Sequence, residues 1–193
     1  MRILSLDTSF SFFNFSVIEE GRVVLLHYND SSRKTLEKLP SEISRAGIDL
    51  TEFDAYAVSV GIGYLTSVRI GITFIKTVSY LCKKPVIAYE NLNLLQKFTP
   101  GVEDPVPYLR VSRNIFYLDP ESGKARIFEG ERIKGTPVTV ESSYAEEMGS
   151  SQVIHKFFPF SAYGGVYANE RLSEDPKGDN PFSLEPLYLR PPL

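Results

Sequence analysis

The chain contains a single cysteine, Cys82, and therefore cannot form an internal disulfide bond. A chain without disulfides is typical of a reducing compartment. The sequence also lacks a long apolar run, and a strand pattern begins directly after Met1, so we expect neither a signal peptide nor a membrane span. From these absences we expect a cytoplasmic protein that does not bind a membrane.

Excess positive charge is absent as well. The formal net charge is −3, whereas a protein that binds nucleic acid unaided usually presents a basic surface. We therefore expect the isolated chain not to bind nucleic acid strongly. Hydrophobic residues make up 42% of the chain, which is enough for a globular protein with a substantial core.

Residues suited to catalysis or metal binding are also few. The two histidines, His27 and His155, lie far apart, and neither belongs to the H-E-x-x-H motif of zinc peptidases. The sequence has no G-x-S-x-G nucleophile motif and no G-x-x-x-x-G-K-[ST] phosphate-binding motif. Cys82 falls within an apolar helix pattern, which indicates a packing residue. We therefore predict no catalytic residue, no metal site and no cofactor.

The most informative stretch comprises residues 61–71 and the helix that they begin. Residues 53–60 are rich in β-branched and aromatic residues, which indicates a buried strand. Gly61 and Gly63 then predict a tight turn, because glycine adopts positive φ without a steric penalty. Thr66 is a candidate N-cap, and no proline interrupts the predicted helix over 66–82. The turn could bind a phosphate at the helix N-terminus, or its role could be purely architectural.

The predicted helix over 66–82 has an unusually wide apolar surface. Two apolar stripes emerge when its residues are placed at 100° per step. The first stripe contains Val68, Gly71, Ile72, Ile75 and Cys82, and the second contains Ile70, Phe74, Val78 and Leu81. Together they cover roughly twice the ~100° arc that packing on one core requires. We expect such a helix to be buried on two sides, one of which can belong to another protein, and the sequence leaves open which stripe faces that partner.

The order of the other predicted elements indicates a mixed α/β fold. Three strands within residues 2–28 are joined by connections too short for crossovers, so we predict an antiparallel meander. A helix from Ser31 or Ser32 to about Ala46 follows, and Pro40 is expected to kink or restart it. The order β-β-β-α-β-α-β-α is that of one half of an actin-like ATPase.

Prolines near residue 100 mark the predicted boundary between two lobes. We assign residues 1–100 to an actin-like N-terminal lobe and residues 101–193 to a smaller α/β lobe with an extended tail. The smaller lobe is predicted to contain short strands, a short helix at 143–148 and a longer helix at 161–172. It is too short for a complete second actin-like half.

Asp7-Thr8-Ser9 follows the first strand, where an actin-like ATPase has its first phosphate-binding hairpin. That hairpin usually contains glycine, whose small size lets backbone amides approach a phosphate. Here Phe10 and Phe12 occupy the turn instead. Two interpretations stay open: a vestigial phosphate-binding site at Asp7, Thr8 and Ser9, or a capped turn in which Asp7 binds nearby amides.

In their order and spacing, these motifs resemble the TsaB (YeaZ) family. That family begins with an apolar strand and D-T-S, as Leu6-Asp7-Thr8-Ser9 does, and its signature is G-P-G-S-F-T-G-[LV]-R-I-G. The sequence matches this signature at Gly61, Gly63, Thr66, Val68, Arg69, Ile70 and Gly71, and differs at Ile62, Tyr64, Leu65 and Ser67. Two further family patterns are matched by Lys38-Leu39-Pro40 and by the ending that contains Pro186, Tyr188, Leu189 and Arg190.

The resemblance implies an actin-like ATPase fold (ASKHA, ribonuclease H-like) with two lobes, mixed β-sheets and a reduced second lobe. It also implies a non-catalytic subunit of the bacterial complex that forms threonylcarbamoyladenosine on tRNA. In the family, this subunit dimerises with its catalytic paralogue TsaD through helices of the first lobe, and the ATPase TsaE joins the assembly. The subunit is expected to meet tRNA only through the complex, and a homodimer is possible when it is alone.

We accordingly predict that the two helices of the first lobe bind the partner. The predicted contact residues are Leu36, Leu39, Ile43, Val68, Ile72, Ile75 and Ser79. The predicted signature-loop residues are Gly61, Gly63, Thr66, Arg69 and Gly71. Two other functions stay open: an active actin-like ATPase or small-molecule kinase, which would need a glycine-containing phosphate hairpin, and a glycopeptidase-type peptidase, which would need zinc ligands.

Overall fold

The computed structural model describes residues 1–29, 35–140 and 153–189. The predicted start of the first helix at Ser31 or Ser32, the short helix at 143–148 and Arg190 lie outside the described residues. The chain forms two compact units, of which the first comprises residues 1–90 and 159–187, and the second comprises residues 91–158 and 188–193. Within the described ranges, no helix is both long enough and apolar enough to cross a membrane.

A five-stranded mixed sheet forms the centre of the first unit. Its strands are β1 (Arg2–Asp7), β2 (Phe13–Glu19), β3 (Arg22–Asn29), β4 (Ala55–Gly61) and β5 (Val86–Glu90). Their spatial order is β3-β2-β1-β4-β5. The first three strands are antiparallel, while β4 is parallel to β1 and β5 is parallel to β4. The meander predicted for the first three strands is confirmed.

Helices cover both faces of this sheet. They are α1 (Thr35–Arg45), α2 (Leu65–Cys82) and α4 (Phe160–Glu174). The intervening helix α3 (Asn91–Lys97) belongs to the second unit. Successive side chains of β2 point to opposite faces of the sheet, and each face packs against different helices. Phe13 and Phe15 belong to the hydrophobic core shared with α1 and α2. Ser16 points to the other face, where its Oγ lies 2.6 Å from the Oγ of Ser161 in α4.

Two consecutive glycines let α4 approach the sheet closely. A Cβ atom at Gly164 would collide with the ring of Tyr89, and one at Gly165 would collide with Ile18. Glycine weakens a helix by about 1 kcal/mol relative to alanine. In α4 this weakness is offset by backbone packing that no larger residue permits, and the helix runs unbroken through both glycines.

The compact units differ from the two contiguous lobes predicted at 1–100 and 101–193. Residues 159–187 return to the first unit because α4 covers the sheet face opposite α1 and α2. The segment after α4 then pairs with the edge of β5, where Asp179 N donates to Val86 O at 2.8 Å and Ala88 N donates to Asp179 Oδ2 at 2.7 Å. This return is a long-range event that composition near residue 100 does not encode.

The second unit contains its own five-stranded sheet. Its strands are β6 (Pro105–Val111), β7 (Asn114–Leu118), β8 (Ala125–Ile127), β9 (Thr136–Thr139) and β10 (Val153–Ile154), in the order β10-β9-β6-β7-β8. The neighbouring strands β6, β7 and β8 are antiparallel, whereas β9 is parallel to β6 and β10 is parallel to β9. Tyr108 and Tyr117 stack at a centroid distance of 5.7 Å within a small apolar core.

Candidate partner interface and the β1–β2 turn

The β1–β2 turn contains Asp7, Thr8 and Ser9, and all three side chains are buried. The carboxylate of Asp7 accepts a hydrogen bond from Ser9 N at 3.0 Å and another from Asn14 Nδ2 at 3.2 Å. A short acidic side chain that binds the amide two residues later stabilises a turn of this kind. The geometry is therefore that of the capped turn, one of the two interpretations left open by the sequence.

The signature loop and the end of β4 contact the other polar groups of this turn. Thr8 Oγ1 donates to the carbonyl oxygen of Ser67 at 2.7 Å, and the hydroxyls of Ser9 and Ser59 lie 2.8 Å apart. The backbone N–H of Tyr64 donates to the carbonyl of Ser9 at 2.7 Å. The hydroxyl groups that could contact a phosphate are thus engaged with protein atoms.

Three glycines of the signature make this close packing possible. Gly61 has φ +115°, a backbone conformation that favours glycine. A Cβ atom at Gly63 would lie 2.7 Å from Ser9 Cα, and one at Gly71 would collide with the hydroxyl of Thr8. The loop and the turn therefore interlock, and the glycines of the signature have an architectural role in this chain.

The start of α2 differs slightly from the sequence prediction. The helix begins at Leu65, and Tyr64 occupies the N-cap position because its carbonyl accepts the hydrogen bond from Val68 N at 2.9 Å. The prediction of Thr66 as N-cap is therefore wrong, since Thr66 already lies inside the first turn. Thr66 and Arg69 are both exposed on the helix surface.

Helix α1 tests one of the two effects predicted for Pro40, a restart of the helix. It continues through Pro40 without a restart. A proline deprives the carbonyl four residues earlier, here that of Leu36, of its helical donor. Leu36 and Pro40 both lie on the exposed side of α1, so water can reach the region of that carbonyl.

Most of the residues predicted to contact a partner are buried inside the first unit. The buried ones are Leu39, Ile43, Val68, Ile72, Ile75 and Ser79. The five apolar side chains among them pack against the sheet in the main hydrophobic core, and Ser79 Oγ donates to the carbonyl of Lys84 at 2.7 Å. Of the predicted set, Leu36 alone is exposed, at 69%. The first apolar stripe of α2 therefore serves the fold, because the β-sheet lies directly beneath it.

The second stripe of α2 lines a groove beside α1. This α1–α2 groove is defined by Leu36 and Pro40 of α1 together with Ile70, Phe74 and Thr77 of α2, and it has a volume of about 480 Å³. Pro40 and Phe74 also line an adjoining pocket of about 380 Å³. These two residues form an apolar wall between the groove and the pocket. Side chains of a docked helix can pack against a surface of this shape.

A further pocket among the described residues contains an ion pair. In the second unit, an open pocket of about 720 Å³ contains Asp119 and Arg126, whose Oδ2 and Nε atoms lie 3.1 Å apart. A hydrogen bond from Ser122 and another from the backbone of Glu121 lower the pKa of Asp119. Across the described ranges, no group of three or more His, Cys, Asp or Glu side chains is placed to hold a metal ion.

Solved structures resemble the chain over almost its whole length. YeaZ from Pseudomonas aeruginosa superimposes with a TM-score of 0.78 and 22% sequence identity, covering 97% of this chain and 99% of that protein. The chain has the YeaZ fold. The predicted α/β fold of the actin-like class is thereby confirmed, as is the resemblance to YeaZ stated from the sequence.

Sequence comparisons connect this YeaZ fold with a related group of proteins. A model of the family described as TsaD, tRNA N6-adenosine threonylcarbamoyltransferase, matches residues 30–110. The enzyme of that name from Aeropyrum pernix is 26% identical over 72% of this chain, and that from Treponema denticola is 24% identical over 93% of it. The chain spans only 38% and 58% of the lengths of these two relatives.

Of the residues that define the groove, the contact prediction included Leu36 and missed Pro40, Ile70, Phe74 and Thr77. The second stripe of α2 was visible in the periodicity, but nothing in it marked that stripe as the exposed one. The departures from the family signature at Ile62 and Tyr64 also proved compatible with the YeaZ fold. Ile62 is buried, and the Tyr64 carbonyl and amide both take part in the junction between loop and helix.

Proposed function

We propose that this chain is a non-catalytic subunit of a complex that forms threonylcarbamoyladenosine on tRNA, and that it docks a TsaD-like catalytic paralogue in the α1–α2 groove. The observation that carries the proposal is the stripe of the half-buried Ile70 and Phe74 and the exposed Thr77, which lies beside the exposed Leu36. An apolar helix surface that stays uncovered within its own unit is a characteristic of a protein-binding site.

The closed β1–β2 turn supports a non-catalytic role. An ATPase site of the actin-like class needs free amide and hydroxyl groups, with space for a phosphate beside them. Here the Thr8 hydroxyl donates to Ser67 O, and the Asp7 carboxylate accepts from Ser9 N and Asn14 Nδ2. Gly63 and Gly71 bring the signature loop into the adjacent space. ATP binding is therefore assigned to other subunits of the complex.

The remaining partners follow from the same proposal. The chain meets tRNA and the ATPase TsaE through the assembled complex in the cytoplasm. Its net charge of −3 supports the view that another subunit supplies most of the basic surface needed for tRNA.

The proposal is tested with the TsaD-like paralogue encoded in the same genome. Calorimetry with ATP on the isolated chain should give no binding, whereas titration of the paralogue should give a complex. Ile70→Asp should abolish this complex, because it places a charge in an apolar interface. Val24→Asp is the matched control, since Val24 is 55% exposed on β3, away from the groove. ATP hydrolysis by the isolated chain, or an unchanged complex with Ile70→Asp, would overturn the proposal.

A further inference from the structure

We propose that the docking surface continues beyond the α1–α2 groove onto an aromatic patch formed by Tyr80, Leu81 and Phe182, and that one and the same partner covers both. This inference rests on the proposed function, because it extends the groove assigned there. It identifies Phe182, which lies far from the groove in the sequence, as an anchor for the partner.

The aromatic patch consists of large apolar side chains in an exposed position. Tyr80 is 63% exposed, and Leu81 and Phe182 are each 71% exposed. The rings of Tyr80 and Phe182 meet edge to face, with centroids 5.7 Å apart and an interplanar angle of 73°. Single exposed apolar residues are common on protein surfaces, but a contiguous group of them marks an interaction site.

Leu81 continues the line of α2 that faces the groove, and Tyr80 lies on the neighbouring face, three residues after Thr77. Leu81 follows Thr77 by four residues and Phe74 by seven, and these spacings place side chains on one helix face. Helix α2 has 18 residues, which corresponds to a length of about 27 Å. A partner helix that packs along Ile70, Phe74 and Thr77 therefore reaches Leu81 without changing direction, and it has Tyr80 and Phe182 at its side.

Phe182 is held in place before any partner arrives. It lies in a 3₁₀ turn over Pro181–Ser183, where Phe182 N donates to Asn180 Oδ1 at 3.0 Å. The next residue but one, Leu184, is buried in the core, and its carbonyl accepts from Lys76 Nζ at 3.3 Å. An aromatic side chain on an anchored segment loses little freedom on binding, which is a property of interface hot spots.

The exposed area of the aromatic patch is large enough to matter for a stable complex. A stable specific interface buries roughly 800 Å² on each partner. A whole aromatic side chain contributes roughly 150–250 Å². At the observed exposures of 63% and 71%, Tyr80 and Phe182 together offer roughly 200–330 Å². This is a substantial fraction of the area that a stable complex requires.

The charge along α2 further defines the partner. The helix carries Arg69 and Lys76 beside the exposed strip and contains no acidic residue. Opposite charges across an interface favour association, whereas like charges disfavour it. We therefore expect the partner to present an amphipathic helix with an apolar stripe and acidic residues at its rim.

The test measures the affinity of the full chain for the TsaD-like paralogue by calorimetry. Phe182→Ala should weaken binding by about tenfold or more, as truncation of an aromatic hot spot does. Val24→Ala, which truncates an apolar side chain that is 55% exposed on β3, should leave the affinity unchanged. The melting temperature of each variant shows whether the fold is intact, and Leu81→Ser replaces Phe182→Ala as the readout if the latter is destabilised.

The outcomes separate this inference from the proposed function. The extension to the aromatic patch would be overturned if Phe182→Ala bound with full affinity while Ile70→Asp lost the complex, and the groove would then stay assigned. Leu81→Ser takes the place of Phe182→Ala in this comparison if the latter is destabilised. Full affinity of both Phe182→Ala and Ile70→Asp would overturn both. A self-associating wild-type chain that becomes monomeric in Phe182→Ala, with unchanged affinity for the paralogue, would make a second copy the occupant and overturn the choice of partner.

Discussion

Replacing Gly71 with alanine tests whether the signature glycines are architectural. Gly71 lies within α2, and a Cβ atom there would collide with the hydroxyl of Thr8 and lie 3.3 Å from Thr8 Cγ2. Thr8 is buried and donates to the carbonyl of Ser67, so it has little room to move aside. We expect Gly71→Ala to destabilise the first unit although alanine is the better helix former.

The magnitude follows from three contributions. Forcing an extra methyl group into a packed site costs about 1–3 kcal/mol. Displacing the Thr8 hydroxyl also weakens its hydrogen bond to Ser67, which contributes about 1 kcal/mol net. The higher helix propensity of alanine offsets about 1 kcal/mol of this loss. The free energy of unfolding of Gly71→Ala should therefore fall by about 1–3 kcal/mol.

A double-mutant cycle isolates the contact. In the Thr8→Ala background the colliding Oγ1 and Cγ2 atoms are absent, so Gly71→Ala should be neutral or stabilising by about 1 kcal/mol. The double variant should then be more stable than the sum of the single changes by about 1–4 kcal/mol. Urea unfolding followed by circular dichroism measures all four proteins, and Thr73→Ala, at an exposed position of α2, serves as the control with an expected change within about 0.5 kcal/mol.

Additive effects in this cycle would refute the reasoning, because they would mean that Gly71 and Thr8 do not compete for the same space. A stabilising effect of Gly71→Ala in the wild-type background would refute it equally. Either result would remove the steric explanation for this glycine of the signature and reopen the phosphate-binding interpretation of the turn.

Three further predictions test other parts of the structure. Ile72 is only 4% exposed, so Ile72→Asp should unfold the first unit. Ile70→Asp, two residues away on the groove side, should keep the circular dichroism spectrum of the wild type. Similar behaviour of the two variants would show that α2 is oriented differently. Burial raises the pKa of Tyr108 to about 12, so absorbance at 295 nm should show ionisation of this tyrosine above pH 10. The free energy of unfolding should fall as the pH rises from about 10 to 12, because the unfolded chain releases this proton at a lower pH than the folded chain does. Ionisation of Tyr108 near pH 10 would contradict the burial of its hydroxyl. Asp179→Ala removes the carboxylate that accepts the hydrogen bond of the Ala88 amide on the β5 edge, so hydrogen exchange at this amide should become about tenfold faster or more. Unchanged exchange would mean that another group accepts this hydrogen bond.

The sequence predicted the elements of the first unit well, because their signals are local. Alternation of side chains identified the strands, and the absence of proline together with apolar periodicity identified α2 to within one residue of its observed bounds at Leu65–Cys82. The errors have local causes too. Thr66 suggested an N-cap because of its hydroxyl, although the chain turns into the helix at Tyr64.

The candidate site was predicted less well than the fold. Periodicity showed two apolar stripes on α2, but both consist of the same kinds of residue. The choice of Val68, Ile72 and Ile75 as contacts for a partner was a choice of the stripe that the protein uses for its own core. For the Asp7-Thr8-Ser9 turn, the sequence left two interpretations open, in part because the hydrogen-bond partner of Thr8, the carbonyl of Ser67, is about 60 residues away along the chain.

By itself, the sequence determined which segments become strands and helices, that α2 would be apolar on two sides, and that familiar catalytic motifs are missing. Only the tertiary structure decided which side of α2 is exposed, that α4 returns to the first unit, and that Phe182 stands beside Tyr80. The physical reason is the range of the interactions. Backbone propensity and periodicity act over a few residues, whereas burial of a stripe depends on a sheet assembled from distant strands.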